Sequence, residues 1–189
     1  MTERFNPRSR SDPYGSRINR EHSPVLAYAI PWVTMLGASV LPVFFMASAM
    51  PLVPPLGFLT LIAWRLVRPG LLPVWAGLPL GLFYDLFSGQ PFGSAALLWS
   101  LALLAIEAIE ARFPWRGFQQ DWVTASGLII LYLLLAGLLS GATLGFEMVF
   151  MTVKALWLQI LLSVLLYPII ARLVARLDRL RLMRWRRIG

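Results

Sequence analysis

Six apolar stretches take up most of residues 25 to 171, and the basic residues of the chain avoid them. Of the 17 basic residues, only Lys154 lies within a stretch; the others lie outside the stretches or at one consistent end of them. A helix of about 20 apolar residues crosses the hydrocarbon core of a membrane. The pattern therefore predicts an all-α, polytopic membrane protein with six transmembrane helices.

The predicted spans follow one another with short connections, and a tail lies on either side of them. The spans are Val25 to Ala49, Leu56 to Val67, Leu71 to Phe87, Phe92 to Ala111, Trp122 to Gly145 and Phe146 to Ala171. Residues 1–23 are rich in Arg, Pro, Ser, Asn and Gly, which predicts a disordered basic tail. Residues 24–171 form the predicted transmembrane domain, and residues 172–189 a basic amphipathic helix that leaves the membrane.

The distribution of basic residues predicts the orientation. Lys and Arg occur in both tails, in the second-to-third loop and in the fourth-to-fifth loop, and the three turns on the opposite side have none. By the positive-inside rule, both termini and the two basic loops are cytosolic. A net charge of +8 would suggest nucleic acid in a soluble protein, but in a chain that is 58% hydrophobic it indicates orientation and anionic lipid headgroups. We expect no nucleic-acid partner.

The last 18 residues combine arginine with leucine at helical spacing. Such a segment rests on anionic lipid headgroups, and the alternative is that it docks on a cytosolic partner. The arginines expected to take part are Arg172, Arg176, Arg179, Arg181, Arg184, Arg186 and Arg187.

Ionisable residues at membrane depth are the default functional candidates, because burying them is unfavourable. Asp85 and Lys154 are the two candidates for an intramembrane functional pair. Lys154 follows Glu147 by two helical turns, about 10 Å deeper, so it reaches the level of Asp85 if the third and sixth spans touch. We predict an intramembrane ion pair between Asp85 and Lys154. The alternative is that Lys154 extends towards Glu147 at the outer interface.

Glycines recur at a spacing of four around Asp85 and again in the fifth span. Residues four apart stack on one face of a helix, so such glycines form a smooth strip for close packing with another helix, either in the same chain or in a partner. Gly89 and Gly93 are also suited to the turn that follows the third span. The residues of the two series are Gly77, Gly81, Gly89 and Gly93, and Gly137, Gly141 and Gly145.

Reactive groups are scarce. The chain has no Cys, and His22 lies in the N-terminal tail, which argues against a catalytic triad or a histidine metal site in the membrane. Glu107 and Glu110 are the one close carboxylate pair; they could bind a cation, but pairing with Arg112 or Arg116 is the simpler interpretation. The sequence also lacks a phosphate-binding glycine loop. We therefore predict no catalytic, cofactor or metal site, and no enzyme.

The segment GLFYDLFSGQPFGSAALL, residues 81–98, together with the prolines between Pro51 and Pro55, resembles the rod shape-determining protein MreD family. The resemblance covers residues 25 to 171. Gly81, Asp85, Gly89, Gly93 and the Pro54-Pro55 turn are the residues that match the family's pattern.

The resemblance implies a non-enzymatic scaffold of the bacterial inner membrane that acts in cell elongation and peptidoglycan synthesis. Its implied partners are MreC and, directly or through MreC, MreB, RodA and a class B penicillin-binding protein. It also implies a fold similar to the S-components of energy-coupling-factor transporters. We expect partner helices on a lipid-facing strip, and the cytosolic arginine segments as a second binding site.

Two other classes of function compete with the scaffold. An S-component-like subunit would bind a small molecule such as a vitamin in a cavity near Asp85, Trp99 and Trp157, although Trp is also an ordinary interfacial anchor. A lipid-handling enzyme would depend on a carboxylate, such as Glu107 or Asp85.

Overall fold

The computed structural model describes the backbone of residues 24–46, 53–113, 117–141 and 146–181, and the side chains of residues 28–44, 53–113, 117–139 and 156–180. The prediction of an all-helical fold is confirmed, since the described residues form helices and the turns that connect them. The helices are α1 (Pro24–Met46), α2 (Leu56–Val67), α3 (Gly77–Ser88), α4 (Ser94–Arg112), α5 (Phe118–Gly141) and α6 (Phe146–Arg181).

Helix α3 begins later than the predicted third span. The chain first passes through Pro73 in an extended conformation and a 3-10 turn, Val74–Ala76, and α3 then starts at Gly77. Pro73 has no N–H and restricts the residue before it to extended geometry, so the helix cannot extend back through it. Pro79 is tolerated because it lies in the first turn of α3, where an N–H would have no partner within the helix.

Helices α5 and α6 extend beyond the apolar stretches that predicted them. Helix α5 starts at Phe118, before the predicted Trp122, with Asp121 in its first turn, where a negative charge favours helix formation. Helix α6 continues without interruption past Ala171 to Arg181, so the first ten residues of the predicted amphipathic segment belong to the same helix. A helix continues wherever its backbone bonds are made, in lipid or in water, so hydropathy does not mark its ends.

Helix α2 is the central element of the bundle. All residues from Gly57 to Leu66 are buried, and the side chains of Phe58, Leu61 and Trp64 are completely inaccessible. Helices α1 and α6 pack most extensively against it, and α4 and α5 also contact it. The Trp64 Nε1–H donates to the Thr34 hydroxyl in α1 at 2.9 Å, which satisfies a polar group in the apolar interior.

Helices α3 and α4 form an antiparallel hairpin, and they pack together more extensively than any other helix pair in the described part of the chain. A Cβ placed on Gly77 would lie 2.8 Å from the backbone nitrogen of Ser100, and one placed on Gly81 would collide with the backbone of Ala96. Glycine allows the two backbones to approach because it has no side chain. The Gly77-Gly81 strip is therefore used inside the chain and is not available to a partner.

Within the described ranges, three helices are long and apolar enough to cross a membrane by themselves. They are Ser94–Arg112 in α4, Phe118–Leu139 in α5 and Leu156–Leu180 in α6. Helices α2 and α3 each have 12 residues. At 1.5 Å per residue, each is only about 18 Å long, shorter than the hydrocarbon core of about 30 Å.

The close α3–α4 approach predicts that Gly81→Ala destabilises the protein. The added methyl group forces the two backbones apart, and we expect the free energy of unfolding to fall by about 1–3 kcal/mol. Unfolding in detergent micelles, followed by tryptophan fluorescence, measures the change. Gly127→Ala is the matched control, because Gly127 is also helical and has nothing within 4 Å of the added Cβ. Equal stability losses in the two variants would contradict the packing role of Gly81.

Candidate functional site

Asp85 caps the beginning of α4. Its carboxylate accepts hydrogen bonds from the backbone N–H groups of Gly93 at 2.9 Å and Ala95 at 3.0 Å. The Ala96 N–H and the Ser94 hydroxyl approach the same two oxygens at 3.4 Å. The first amides of a helix have no partner within it and carry a partial positive charge. The buried Asp85 side chain therefore neutralises a helix end across the hairpin.

The turn between α3 and α4 explains the glycines that follow Asp85. Gly89 ends α3 with a φ of 67°, and Gly93 precedes α4 with a φ of 91°. Both angles lie in the left-handed region, which residues with a side chain rarely adopt. The four residues spaced by four therefore act together. Gly81 allows α3 and α4 to pack closely, Gly89 and Gly93 form the turn between them, and Asp85 caps α4.

The predicted partner of Asp85 lies outside the described side chains. Lys154 belongs to α6, and the structure describes its helical backbone only. The four donors from the start of α4 already surround the Asp85 carboxylate. The pair with Lys154 stays a prediction, and it is not needed to account for the burial of Asp85.

The second glycine series is described in part. A Cβ on Gly137 would lie 2.9 Å from Cδ1 of Leu156, so this glycine makes room for a side chain of α6. Gly141 is the last residue of α5, and Gly145 lies outside the described residues. The described member of the series therefore serves packing between α5 and α6.

The interior beside Asp85 is filled by aromatic side chains of the protein itself. The rings of Phe58 and Tyr132 stack with a centroid distance of 4.0 Å. Trp99 lies 5.3 Å from Tyr84 and 6.0 Å from Phe58, and its side chain is 0% exposed. Trp157, in contrast, is 69% exposed. The structure thus does not bring Trp99 and Trp157 together around a common cavity.

A cleft at the other end of the α3–α4 hairpin contains a buried arginine that sequence reasoning did not single out. Arg65, in the last turn of α2, donates from Nη1 to the Leu72 carbonyl at 3.0 Å and from Nη2 to Glu110 at 3.1 Å. The cleft has a volume of about 560 Å³. It is lined by Arg65, Gly70, Leu72, Pro73, Val74, Glu107, Glu110 and Ala111.

A second ion pair joins the loop after α2 to the last helix. Arg68 Nε donates to Asp178 at 2.8 Å, and the Asp178 side chain is buried. Val174 is also fully buried, so this part of α6 packs on the bundle. Arg172, Arg176 and Arg179 are exposed on the same helix, Arg181 ends it, and Arg184, Arg186 and Arg187 lie outside the described residues.

These contacts define a charged end of the bundle, which contains the ends of α2, α4 and α6 and the start of α5. Among the side chains that the structure describes, every Asp, Glu, Lys and Arg except Asp85 belongs to it. Asp85 lies at the start of α4, about 24 Å along that helix from Glu110. The fold therefore separates one neutralised carboxylate from all the other described charges.

Comparison with known proteins assigns the chain to a family. The family model for the rod shape-determining protein MreD matches residues 22–177. The chain belongs to the MreD family. No curated protein and no solved structure matches it significantly.

The resemblance inferred from the Asp85 segment is confirmed by this match. The matched range covers all six helices except the last four residues of α6, and it includes the Asp85 cap and the Arg65–Glu110 pair. Membership associates the chain with rod shape determination. The matched range also contains the α3–α4 hairpin and all the residues that line the cleft.

The Asp85 cap predicts a graded response to substitution. Asp85→Ala leaves the amides of Gly93 and Ala95 without an acceptor, and we expect a loss of about 2 kcal/mol in the free energy of unfolding. Asp85→Asn keeps one acceptor oxygen and should lose about 1 kcal/mol. Thermal unfolding in detergent compares the two variants. Equal losses would show that the charge of Asp85 matters more than its role as an acceptor.

The same measurement tests the predicted Asp85–Lys154 pair. If the pair forms, the double variant Asp85→Asn/Lys154→Met loses less stability than the sum of the single variants. Additive losses would reject the pair and leave the helix cap as the role of Asp85.

The buried Arg65–Glu110 pair predicts that removing one partner is costly. Arg65→Met removes the guanidinium that binds the partly buried Glu110 carboxylate, and we expect a loss of about 3 kcal/mol. The double variant Arg65→Met/Glu110→Met should recover most of it. Arg112→Met, an exposed change at the same end of the bundle, should alter stability by less than about 0.5 kcal/mol. A double variant as unstable as Arg65→Met would contradict this assignment.

Proposed function

We propose that this protein is a non-enzymatic, multi-pass scaffold of the bacterial inner membrane that binds transmembrane helices of the cell-elongation complex. Its membership of the rod shape-determining MreD family carries the proposal. The exposed apolar surface of α6 supports it, because only 22% of an apolar 18-residue window within Leu156–Leu180 is buried. A helix so little covered by its own chain has a large surface available to lipid and to other helices.

Six membrane passes are part of this proposal, and contacts along α6 support the pass that contains α2. The Gln159 side chain donates to the Val53 carbonyl at 3.0 Å, and Arg68 pairs with Asp178 at the other end. Gln159 and Asp178 are about 28 Å apart along a straight helix. The segment from Val53 to Arg68 thus covers nearly the thickness of the hydrocarbon core, because extended residues add length to the short helix.

The pass that contains α3 has similar support. Asp85 lies at the start of α4, Gly77 lies against Ser100, and Val74 lines the cleft with Glu107. The segment from Val74 to Asp85 therefore runs beside α4 for most of its length. The 3-10 turn and the extended Pro73 supply the length that α3 lacks.

The charged end is proposed to face the cytosol, with both termini on that side. Arg65, Arg68, Arg112 and the arginines of α6 then lie where the positive-inside rule places them. Asp85 lies towards the opposite side, where its charge is balanced by the amides of α4.

The proposed partner surface is a strip along α6. Leu158, Leu161, Leu165, Ile169 and Leu173 recur at intervals of three or four residues, and all are at least half exposed. The strip continues into the exposed Arg172, Arg176 and Arg179. One helix thus combines an apolar face for a partner's transmembrane helix with a basic face for anionic lipid or a cytosolic segment.

The proposed direct partner is MreC, and MreB, RodA and a class B penicillin-binding protein are proposed to join through it or directly.

The rival S-component-like function finds less support, because aromatic side chains occupy the interior where a ligand cavity was expected. They are Trp99, Phe58, Tyr84 and Tyr132.

Cysteine crosslinking tests the partner surface, and the absence of native Cys makes every introduced thiol unique. We expect Leu161→Cys and Leu165→Cys to crosslink to a single Cys in the transmembrane helix of MreC. Leu131→Cys and Leu134→Cys are matched controls, because both positions are exposed leucines on α5. Crosslinking that is equal on the two helices, or found on neither, would reject the α6 surface.

A functional assay complements the crosslinking. In cells depleted of the native protein, the triple variant Leu161→Ala/Leu165→Ala/Ile169→Ala should bind MreC at least about tenfold more weakly and fail to restore rod shape. Its thermal stability should stay unchanged, since the three side chains are exposed. A triple variant that restores rods fully would contradict the proposal.

A further inference from the structure

The part of α6 beyond Ala171 packs against the bundle. Val174 is completely buried, and the buried Asp178 carboxylate accepts a hydrogen bond from Arg68 Nε at 2.8 Å. An amphipathic helix that rests on a membrane buries its apolar face in the lipid. In this helix the face that contains Val174 is already covered by the protein. The segment therefore does not lie flat on the bilayer, and it presents its opposite face outwards.

The outward face carries three arginines and no acid. Arg172, Arg176 and Arg179 are all exposed, and at 3.6 residues per turn they lie within about 60° of one another. None of them forms an ion pair with another side chain in the described part of the chain. Like charges three or four residues apart on a helix repel each other. Asp178 is the only acid in the last 18 residues, and it is buried and bound to Arg68. An external anion would relieve the repulsion that this face retains.

The arginines begin where the apolar strip of α6 ends. Leu165 and Ile169 precede them on the same face and are 60% and 57% exposed. From Arg172 to Arg179 the helix rises about 10 Å. The headgroup layer on each side of the hydrocarbon is about 5–8 Å thick, and a long arginine side chain can bend along its helix to reach polar groups. In the topology proposed above, all three guanidinium groups reach phosphates of the cytosolic leaflet.

The combination of charge and apolar surface favours a lipid over a soluble anion. A soluble anion or an acidic cytosolic peptide would contact the guanidinium groups and leave Leu165 and Ile169 uncovered. A phospholipid covers both, because its phosphate and its acyl chain belong to one molecule. Arginine binds a phosphate through two parallel hydrogen bonds. A headgroup without a cation of its own adds no repulsion to this contact, so an anionic lipid fits better than a zwitterionic one.

We propose that the face formed by Arg172, Arg176 and Arg179 binds an anionic glycerophospholipid. The phosphate accepts hydrogen bonds from the guanidinium groups, and an acyl chain lies along Ile169 and Leu165. The inference rests on the proposed topology and on the proposed basic face of α6, and it assigns that face to lipid and not to a cytosolic segment. It does not depend on any elongation partner.

Thermal unfolding of the delipidated full-length protein in detergent tests the site, with added phosphatidylglycerol or phosphatidylcholine of identical acyl chains. One arginine near an anionic lipid surface strengthens binding about fivefold, so we expect phosphatidylglycerol to bind at least about tenfold more tightly than phosphatidylcholine. The triple variant Arg172→Gln/Arg176→Gln/Arg179→Gln should abolish this preference. It should not lower the stability of the lipid-free protein, since the three side chains are exposed.

A second triple variant is the matched control for net charge. Arg184→Gln/Arg186→Gln/Arg187→Gln removes the same three positive charges from the same tail, at positions outside the described residues. It should leave the preference for phosphatidylglycerol intact, because the proposed site needs the arginines that continue the apolar strip.

Four results would overturn the proposal. The first is equal binding of the two lipids by the unchanged protein, and the second is a preference that persists in the first triple variant. The third is an equal loss of preference in both triple variants, which would show a diffuse attraction to net charge. The fourth is equal stabilisation by soluble glycerol phosphate or by a polyglutamate peptide, which would assign the face to a free anion or to an acidic cytosolic segment. None of these readouts involves MreC binding or cell shape, so the lipid site and the scaffold can fail separately.

Discussion

Hydrocarbon offers no hydrogen-bond partners, so the start of a helix within or near the membrane needs its acceptors from the protein itself. In this chain Asp85 supplies them to α4, with its carboxylate against the amides of Gly93 and Ala95. The cap holds the carboxyl end of α3 against the start of α4. Gly77 and Gly81 let the rest of the two helices approach. The hairpin in turn places the segment after Pro73 beside the far end of α4, where it forms a wall of the cleft.

At the opposite end, two ion pairs join elements that are distant in the chain. Arg65 reaches Glu110 across 45 residues, and Arg68 reaches Asp178 across 110. The two arginines are neighbours at the end of α2, so the central helix is attached to α4 and to α6 at once. Because Asp178 and Arg65 are buried, these pairs fix the relative position of the helices more firmly than exposed pairs would. A partner or lipid that approaches this end therefore meets one connected surface.

The short central helices show how sequence hydropathy and helix length diverge. The predicted second span, Leu56 to Val67, coincides with α2. The third was predicted from Leu71, but α3 begins at Gly77, because Pro73 is extended and keeps the helix from reaching back through the apolar stretch. Helices α5 and α6, in contrast, are longer than the spans predicted for them, since their polar ends stay helical outside the apolar stretch.

The sequence alone determined the membrane class, the helical fold, the approximate helix boundaries and the family. Each depends on residue type and spacing along the chain: apolar length, arginine position, and the glycines around Asp85. The tertiary structure decided which partner each polar residue has. Glu110 binds Arg65 of another helix, and the Asp85 carboxylate accepts from amides at the start of α4, two contacts that spacing along one helix did not indicate. Spacing reveals the neighbours of a residue on its own helix, but contacts between helices depend on how the helices pack, and that is set by many weak apolar contacts at once.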